Sequence, residues 1–401
     1  MRFRHPDGST VHLAYCTNVH PAETLDGVLT QLRDHCEPVR RRLGRDRLGI
    51  GLWLAADAAR TLDSDPAALR TLRAQLDRRG LEVVTLNGFP YEGFGAGEVK
   101  YRVYKPDWAD PERLEHTTAL ARVLAGLLPD DVTEGSISTL PLAWRTAHDA
   151  GRTEKALRTL AERLDALQEL TGRSLRVGLE PEPGCVVETT RDALAPLTAI
   201  AHPRIGICVD TCHLATSFED PHTAVDALTT AGVTIVKSQL SAALHAEHPH
   251  LPEVRTALAA FDEPRFLHQT RTATAAGLRG TDDLGEALAG EALPRRRTLA
   301  CHFPSAARPA APSPPPSRPE GHADPAGGRP ARSPATWSRT HPGTPPELRP
   351  RAHPARRRHR RRTHPRPRPV DRPRPEGAAM STRSTERPDP GSHPPSSSWT
   401  S

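Results

Sequence analysis

Two apolar runs that each end on a carboxylate constrain this chain more than any other feature. The first, residues 175–180, ends on Glu180, and the second, residues 205–210, ends on Asp210, three residues before His213. Both runs predict buried strands, and a buried carboxylate is costly unless it is paired or binds a metal ion. Because the carboxyl ends of neighbouring parallel strands meet at one edge of a sheet, we expect these side chains to share a metal site.

Short apolar runs alternate with longer amphipathic segments along the first 300 residues. The runs predict seven strands, at residues 13–20, 48–54, 81–89, 135–142, 175–180, 205–210 and 233–240. Amphipathic helices are predicted at residues 22–43, 66–79, 111–128, 153–170 and 189–201. This alternation is typical of a parallel sheet. It favours an α/β fold of the (β/α)8 TIM-barrel class over a doubly wound sheet, which the pattern does not exclude.

The charge of the chain is divided unevenly. Of 54 Lys and Arg, 19 lie from residue 301 onwards, together with only 7 of the 48 Asp and Glu, so the first 300 residues carry about −6 and the rest about +12. An acidic body is not expected to bind nucleic acid. No stretch approaches the ~20 apolar residues of a membrane span. Without an apolar N-terminal signal segment, and with six scattered cysteines, we predict a reduced, cytoplasmic protein.

The last hundred residues differ in composition from the rest. They hold 24 of the 42 prolines, and from residue 304 their only large aliphatic residues are Leu348, Val370 and Met380. Such a segment cannot bury enough apolar surface to offset its ordering entropy, so we predict a barrel at 1–300 and a disordered tail at 301–401. The arginine run at 356–362 indicates a solvated tail more than a binding segment. Pro/Arg/Ala/His-rich composition is also what an out-of-frame reading of GC-rich DNA gives, and we hypothesise a frameshift near 294–303.

Several strand ends together resemble the xylose isomerase-like TIM-barrel superfamily, which includes sugar phosphate isomerases and epimerases and endonuclease IV-type enzymes. The matching segments are Asn87-Gly-Phe-Pro90, Gly178-Leu-Glu-Pro-Glu-Pro-Gly184, Val209-Asp-Thr-Cys-His213 and Val236-Lys-Ser-Gln-Leu-Ser241. More closely, three segments resemble the EboE-type metabolite-traffic proteins of that superfamily: Cys16-Thr-Asn-Val-His20, Leu86-Asn-Gly-Phe-Pro90 and Phe266-Leu-His-Gln-Thr270.

The resemblance implies one or more divalent metal ions (Mn, Mg, Co or Zn) held at the strand ends. Glu180 would be the ligand of the fifth strand and Asp210 that of the sixth, with His213 on the following turn. Gln239 stands where many members place a histidine ligand, and a neutral amide is a weaker ligand for a divalent ion. The resemblance also implies an eighth strand with a further glutamate, which the sequence does not show because the proline-rich segment starts there.

Other polar and aromatic residues are weaker candidates, and each has an ordinary structural explanation. Asp210 and His213 could be a helix cap and a turn histidine, and Glu180 could pair with an arginine. Catalytic candidates are His268 and Glu182, the latter read as a loop or outer residue because prolines flank it. His20 and Asn87 would orient substrate hydroxyls. Aromatic residues that would line a sugar ring, or simply pack in the core, are Trp53, Tyr91 and Phe94.

Three functions fit these patterns. The first is metal-dependent isomerisation or epimerisation of a small sugar-like metabolite, with the ion polarising a carbonyl and a carboxylate or histidine moving a proton. The second is a non-catalytic metabolite-binding protein, which the EboE resemblance and Gln239 favour. The third is an endonuclease IV-like phosphodiesterase, which needs more His and carboxylate ligands than the chain offers. No motif that cradles a nucleotide phosphate is present, and an oligomer is compatible with all three functions.

The frameshift hypothesis predicts a second reading frame with barrel character. Resequencing the gene across the codons for 285–310 and translating every frame should reveal a frame that continues with apolar residues and a strand bearing a glutamate. If no frame does so, the tail is genuine and the ligand set ends at Gln239.

Overall fold

The computed structural model describes residues 1–303 except Ala96, Ala147, Glu291 and Arg295. The sequence predictions for residues 304–401, including most of the proposed tail, lie outside the described residues. Cys301 still belongs to a strand and His302 is buried, so the described unit runs past the predicted boundary at 300.

The described residues form thirteen strands. In chain order these are β1 (Arg2–Arg4), β2 (Thr10–His12), β3 (Ala14–Cys16), β4 (Leu48–Trp53), β5 (Leu81–Asn87), β6 (Glu134–Thr139), β7 (Ser174–Leu179), β8 (Ile205–Asp210), β9 (Ile235–Gln239), β10 (Leu244–Ala246), β11 (Thr270–Thr274), β12 (Gly277–Thr281) and β13 (Leu299–Cys301).

The α-helices lie mostly between the parallel strands. They are α1 (Leu25–Gln31), α2 (Glu37–Arg42), α3 (Ala56–Ser64), α4 (Pro66–Arg78), α5 (Pro111–Leu127), α6 (Ala150–Thr171), α7 (Thr190–Ile200), α8 (Thr211–Thr216), α9 (Pro221–Thr230), α10 (Pro252–Ala259) and α11 (Leu284–Ala289). None of the helices in the described part of the chain is both long and apolar enough to cross a membrane.

All seven predicted strands are confirmed, and they form one parallel sheet in the order β3-β4-β5-β6-β7-β8-β9. The sheet is curled, as shown by the 3.9 Å between Cys16 Sγ on the first strand and Gln239 Oε1 on the last strand. The TIM-barrel fold class is therefore confirmed. Among residues 1–303 no eighth parallel strand closes the barrel, and β9 leaves Ile235 38% exposed.

The chain after β9 forms a feature that the sequence did not predict. Strands β10, β13, β11 and β12 make a separate antiparallel sheet, with α10 and α11 beside it. This unit has its own small apolar cluster, formed by Ala246, Val254, Leu258, Leu284 and Cys301. Its strands have three to five residues, too short for a clear alternating pattern.

Three predicted elements differ clearly from the observed ones. The strand predicted at 13–20 ends at Cys16, where a 3-10 helical turn, Thr17–Val19, begins. The helix predicted at 22–43 starts at Leu25 and contains a π-helical turn, Leu32–Cys36. Pro38 follows this turn and has no N–H to donate to the preceding turn, which accounts for the interruption. The strand predicted at 135–142 ends at Thr139, because the chain turns where Leu142 adopts a positive φ of 72°.

A buried arginine fixes the loop at the carboxyl end of β5. Arg113 on α5 is fully buried, and its Nη1 donates to the carbonyl oxygens of Gly88 and Phe89 at 2.8 and 2.9 Å. Its Nε donates to Pro106 O at 2.8 Å. Burial lowers the pKa of the guanidinium to about 10. One side chain therefore satisfies three carbonyls and ties helix α5 to the edge where the strand ends lie.

Replacing this arginine tests its structural role. Arg113→Met leaves the buried carbonyls of Gly88 and Phe89 and the partly buried carbonyl of Pro106 without their donor, so we expect the free energy of unfolding to fall by about 3 kcal/mol. Urea denaturation of the full chain measures this loss. Arg122→Met is the matched control on the same helix, because Arg122 is half exposed and pairs with Asp63; its loss should be below about 1 kcal/mol. Equal losses in the two variants would contradict the role given to Arg113.

Candidate metal site at the strand ends

The fold brings together the three residues that the sequence placed at a common metal site. Glu180 follows β7 directly, Asp210 is the last residue of the neighbouring β8, and His213 lies in the short helix α8. All three side chains are buried. One carboxylate oxygen from each acid and one imidazole nitrogen lie within 4.8 Å of one another.

Glu180 has one oxygen in a hydrogen bond and one without a partner. Gln239 Nε2 donates to Oε1 at 2.5 Å, whereas the buried Oε2 has no hydrogen-bond partner. Burial and the charge of Asp210 raise the pKa of the Glu180 carboxyl. A buried acceptor oxygen beside a second carboxylate is an arrangement that a cation would stabilise, so these residues fit the divalent ion that the sequence predicted.

Asp210 caps α8, as its alternative explanation predicted. Its Oδ1 accepts hydrogen bonds from Cys212 N at 2.7 Å, from His213 N at 3.3 Å and from the Ser241 hydroxyl. These donors fix the carboxylate at the strand end beside Glu180. Capping and metal binding are compatible, because a carboxylate offers about four lone pairs.

His213 links the strand-end carboxylates to a second buried group. Its Nδ1 donates to Pro181 O at 2.5 Å, which directs Nε2 towards Glu182 Oε2 at 2.8 Å and His302 Nε2 at 3.1 Å. Burial alone would lower the pKa of this imidazole, but Asp210 and Glu182 outweigh it and raise the pKa to about 10.

Glu182 lies in the loop after β7, and its side chain is buried. Its Oε1 accepts from the Tyr104 hydroxyl at 3.1 Å and from Gln269 Nε2 at 2.9 Å. Burial would raise the pKa of the carboxyl, but His213 and His302 outweigh it and lower the pKa to about 2. Glu182 therefore belongs to a polar cluster that joins the parallel sheet to the residue after β13.

The weaker candidates make contacts of other kinds. His20 Nε2 contacts Tyr15 Oη at 2.8 Å, and its ring stacks on that of His35. Asn87 Oδ1 accepts from Phe89 N at 3.1 Å, which gives it a turn-forming role at the end of β5. His268 is buried beside Asp283, Glu263 and Phe303.

The three aromatic residues that were predicted to line a sugar ring do not lie on one common surface. Trp53 and Phe94 pack together in a buried apolar cluster that includes Phe266, as their core explanation predicted. Tyr91 instead meets the edge of the His116 ring, 4.9 Å between centroids.

Sequence reasoning missed Lys237 and His302. Lys237 Nζ on β9 lies 3.3 Å from Leu86 O and 3.4 Å from Ser138 Oγ, so this side chain crosses the interior of the curled sheet. Its two-residue spacing from Gln239 was a usable signal, since alternate strand residues share a face. His302 had no such signal, because it follows a three-residue strand in the segment where the apolar pattern fails.

The xylose isomerase-like TIM barrel family model matches residues 47–253, a little more than half of the chain. The chain belongs to that family. No curated protein matches the chain.

The solved structures that match this chain have low sequence identity to it. A putative sugar phosphate isomerase/epimerase from Anabaena variabilis is 15% identical, with 58% of this chain and 74% of that chain covered and a TM-score of 0.41. D-allulose 3-epimerase from a Methylomonas species, in complex with D-allulose, is 14% identical, with 64% and 82% covered and a TM-score of 0.39. A probable 3-DHS dehydratase from Bacillus anthracis is 17% identical, with 55% and 70% covered and a TM-score of 0.35.

Proposed function

We propose that this member of the xylose isomerase-like TIM barrel family catalyses metal-dependent isomerisation or epimerisation of a small sugar-like metabolite. The observation that carries the proposal is the pair of buried carboxylates, Glu180 and Asp210, at the ends of adjacent parallel strands. Both would hold a divalent ion such as Mn²⁺, Mg²⁺, Co²⁺ or Zn²⁺, with His213 as the imidazole ligand. When bound, the ion would polarise a carbonyl of the substrate.

Gln239 acts in this proposal by orienting Glu180. Its Nε2 hydrogen bond holds Oε1, so that the unpartnered Oε2 remains available to the ion. Gln239 would itself be at most a weak ligand, since its amide is neutral. The role given to it here is to position the glutamate.

Lys237 supplies the cation that faces the substrate from within the sheet. Its ammonium group donates to Leu86 O and Ser138 Oγ. Burial raises the pKa values of Glu180 and Cys16, and the positive charge of Lys237 partly offsets that rise. We assign Lys237 to binding substrate oxygens and stabilising negative charge that develops on them, because a fixed cation in a partly buried site acts most strongly there.

A second candidate function is metabolite binding without turnover, as in EboE-type metabolite-traffic proteins. Two observations favour it. Gln239 replaces an expected imidazole ligand, and no eighth parallel strand brings a further glutamate to the site among the described residues. Endonuclease IV-like chemistry is less favoured, because the acidic body opposes a phosphate backbone.

Solvent deuterium exchange tests the enzymatic proposal without knowledge of the product. The full chain, supplied with Mn²⁺ or Co²⁺ in D₂O, should introduce deuterium at the carbon beside the carbonyl of at least one ketohexose, such as D-fructose or D-allulose, as read by NMR. Glu180→Gln should reduce the exchange rate at least about 100-fold, because it removes a charge that acts on the reacting centre. Lys237→Met should also reduce the exchange rate at least about 100-fold, but it should leave the metal affinity near its original value.

Leu170→Gln is the control, because Leu170 is 83% exposed on α6 and should leave exchange unchanged. If the chain binds a ketohexose in the presence of metal but introduces deuterium into none of the ketohexoses tested, the enzymatic proposal is contradicted and the binding-protein function is favoured.

A further inference from the structure

The hydrogen bonds around His213 fix which of its nitrogens carries a proton. Pro181 O is a carbonyl oxygen and can only accept, so the Nδ1 atom 2.5 Å from it must be an N–H donor. In the neutral imidazole, Nε2 is therefore the lone-pair nitrogen. This lone pair lies 2.8 Å from the carboxylate oxygen Glu182 Oε2.

The same reasoning fixes His302. Gln269 Nε2 lies near Glu182 Oε1 at 2.9 Å and Pro183 O at 3.1 Å, and both of these are acceptors, so this end of the amide is the NH₂ group. Gln269 Oε1 therefore faces His302 Nδ1 at 2.7 Å, which makes Nδ1 the donor and leaves the lone pair of His302 on Nε2.

Three possible ligand atoms thus converge on one point, and all of them lie within 4.8 Å of one another. They are Glu182 Oε2, His213 Nε2 and His302 Nε2, and the two nitrogens are 3.1 Å apart. A positive charge must lie among these atoms, either as a proton on His213 Nε2 or as a metal ion that takes the place of that proton. Ligand atoms around a tetrahedral Zn²⁺, at about 2.0–2.1 Å from the ion, are themselves about 3.3 Å apart, close to the separations seen here.

We propose that Glu182, His213 and His302 form a binding site for a divalent transition-metal ion of the Zn²⁺ class. The site shares His213 with the Glu180–Asp210 position but takes its other two ligands from different residues, and it does not depend on the proposed isomerase activity. Two nitrogens and one carboxylate oxygen favour Zn²⁺, Co²⁺ or Fe²⁺ over Mg²⁺ and Ca²⁺, which prefer oxygen ligands.

The surroundings of the three ligands match those of protein metal sites. A ligating histidine almost always donates its other ring N–H to a carbonyl or carboxylate group, and here the two imidazoles donate to Pro181 O and to Gln269 Oε1. The second oxygen of Glu182 is held by Tyr104 and Gln269. Every ligand is therefore oriented before an ion binds.

The ion would join two parts of the fold. Glu182 and His213 follow β7 and β8 of the parallel sheet, whereas His302 follows β13 of the antiparallel sheet. All three residues are only 5% exposed. A buried ion with ligands from both parts would stabilise the folded chain, because metal-binding free energy contributes to folding free energy. One lone pair binds one ion, so a filled site also withdraws His213 from the Glu180–Asp210 position.

Cobalt binding to the full chain tests the proposal. After chelator treatment, Co²⁺ should bind with the intense visible bands of a nitrogen-coordinated, low-symmetry ion, and it should raise the melting temperature. His302→Asn removes Nε2 but keeps an amide donor near Gln269, and His213→Asn does the same beside Pro181. Each should lower the affinity of this site roughly 100-fold or more and abolish the bands. Glu182→Gln serves as a third variant if either histidine variant fails to fold.

Two further variants separate this site from the first. Glu180→Gln/Asp210→Asn removes the carboxylate position and should leave the cobalt bands intact, whatever happens to isomerase activity. His116→Asn, a buried histidine on α5 outside the cluster, should leave them intact as well. Bands that persist in His302→Asn, bands that vanish in the carboxylate double variant alone, or a wild-type chain without such bands would each overturn the proposal.

Discussion

Buried carboxylates at the ends of adjacent parallel strands are the constraint on which the rest of this structure depends. Glu180 and Asp210 sit where β7 and β8 leave the sheet, and a carboxylate there costs free energy unless a charge or a set of donors compensates it. The chain supplies part of this compensation through Gln239 and the backbone N–H groups of α8, but one oxygen of Glu180 remains without a partner.

The sequence predicted the parallel part of the fold well because its strands are buried and continuous. Every residue of β4 and β8 is buried, so apolar composition alone identified them. The carboxylates at the ends of β7 and β8 were equally visible, because a charged residue that closes an apolar run is unusual. Element ends were less accurate, since turns such as that at Leu142 depend on tertiary packing.

The antiparallel sheet after β9 could not be predicted in the same way. Its strands are three to five residues long, and β12 is largely exposed, so neither length nor alternation distinguishes them from loops. His302 enters the polar cluster only because β13 pairs with β10 and β11, a contact between distant segments. Lys237 differs from His302, because its two-residue spacing from Gln239 already places it on the inward face of β9. The sequence could not show that its long side chain reaches Ser138 on β6.

Metal binding between Glu180 and Asp210 is the central claim, and anomalous X-ray diffraction from crystals of the full chain grown with Mn²⁺ tests it most directly. We predict a strong anomalous peak in contact with both carboxylates, with the unpartnered oxygen of Glu180 as one ligand. A map without a peak at this position at saturating Mn²⁺, with the two carboxylates compensated only by protein donors, would contradict the central claim.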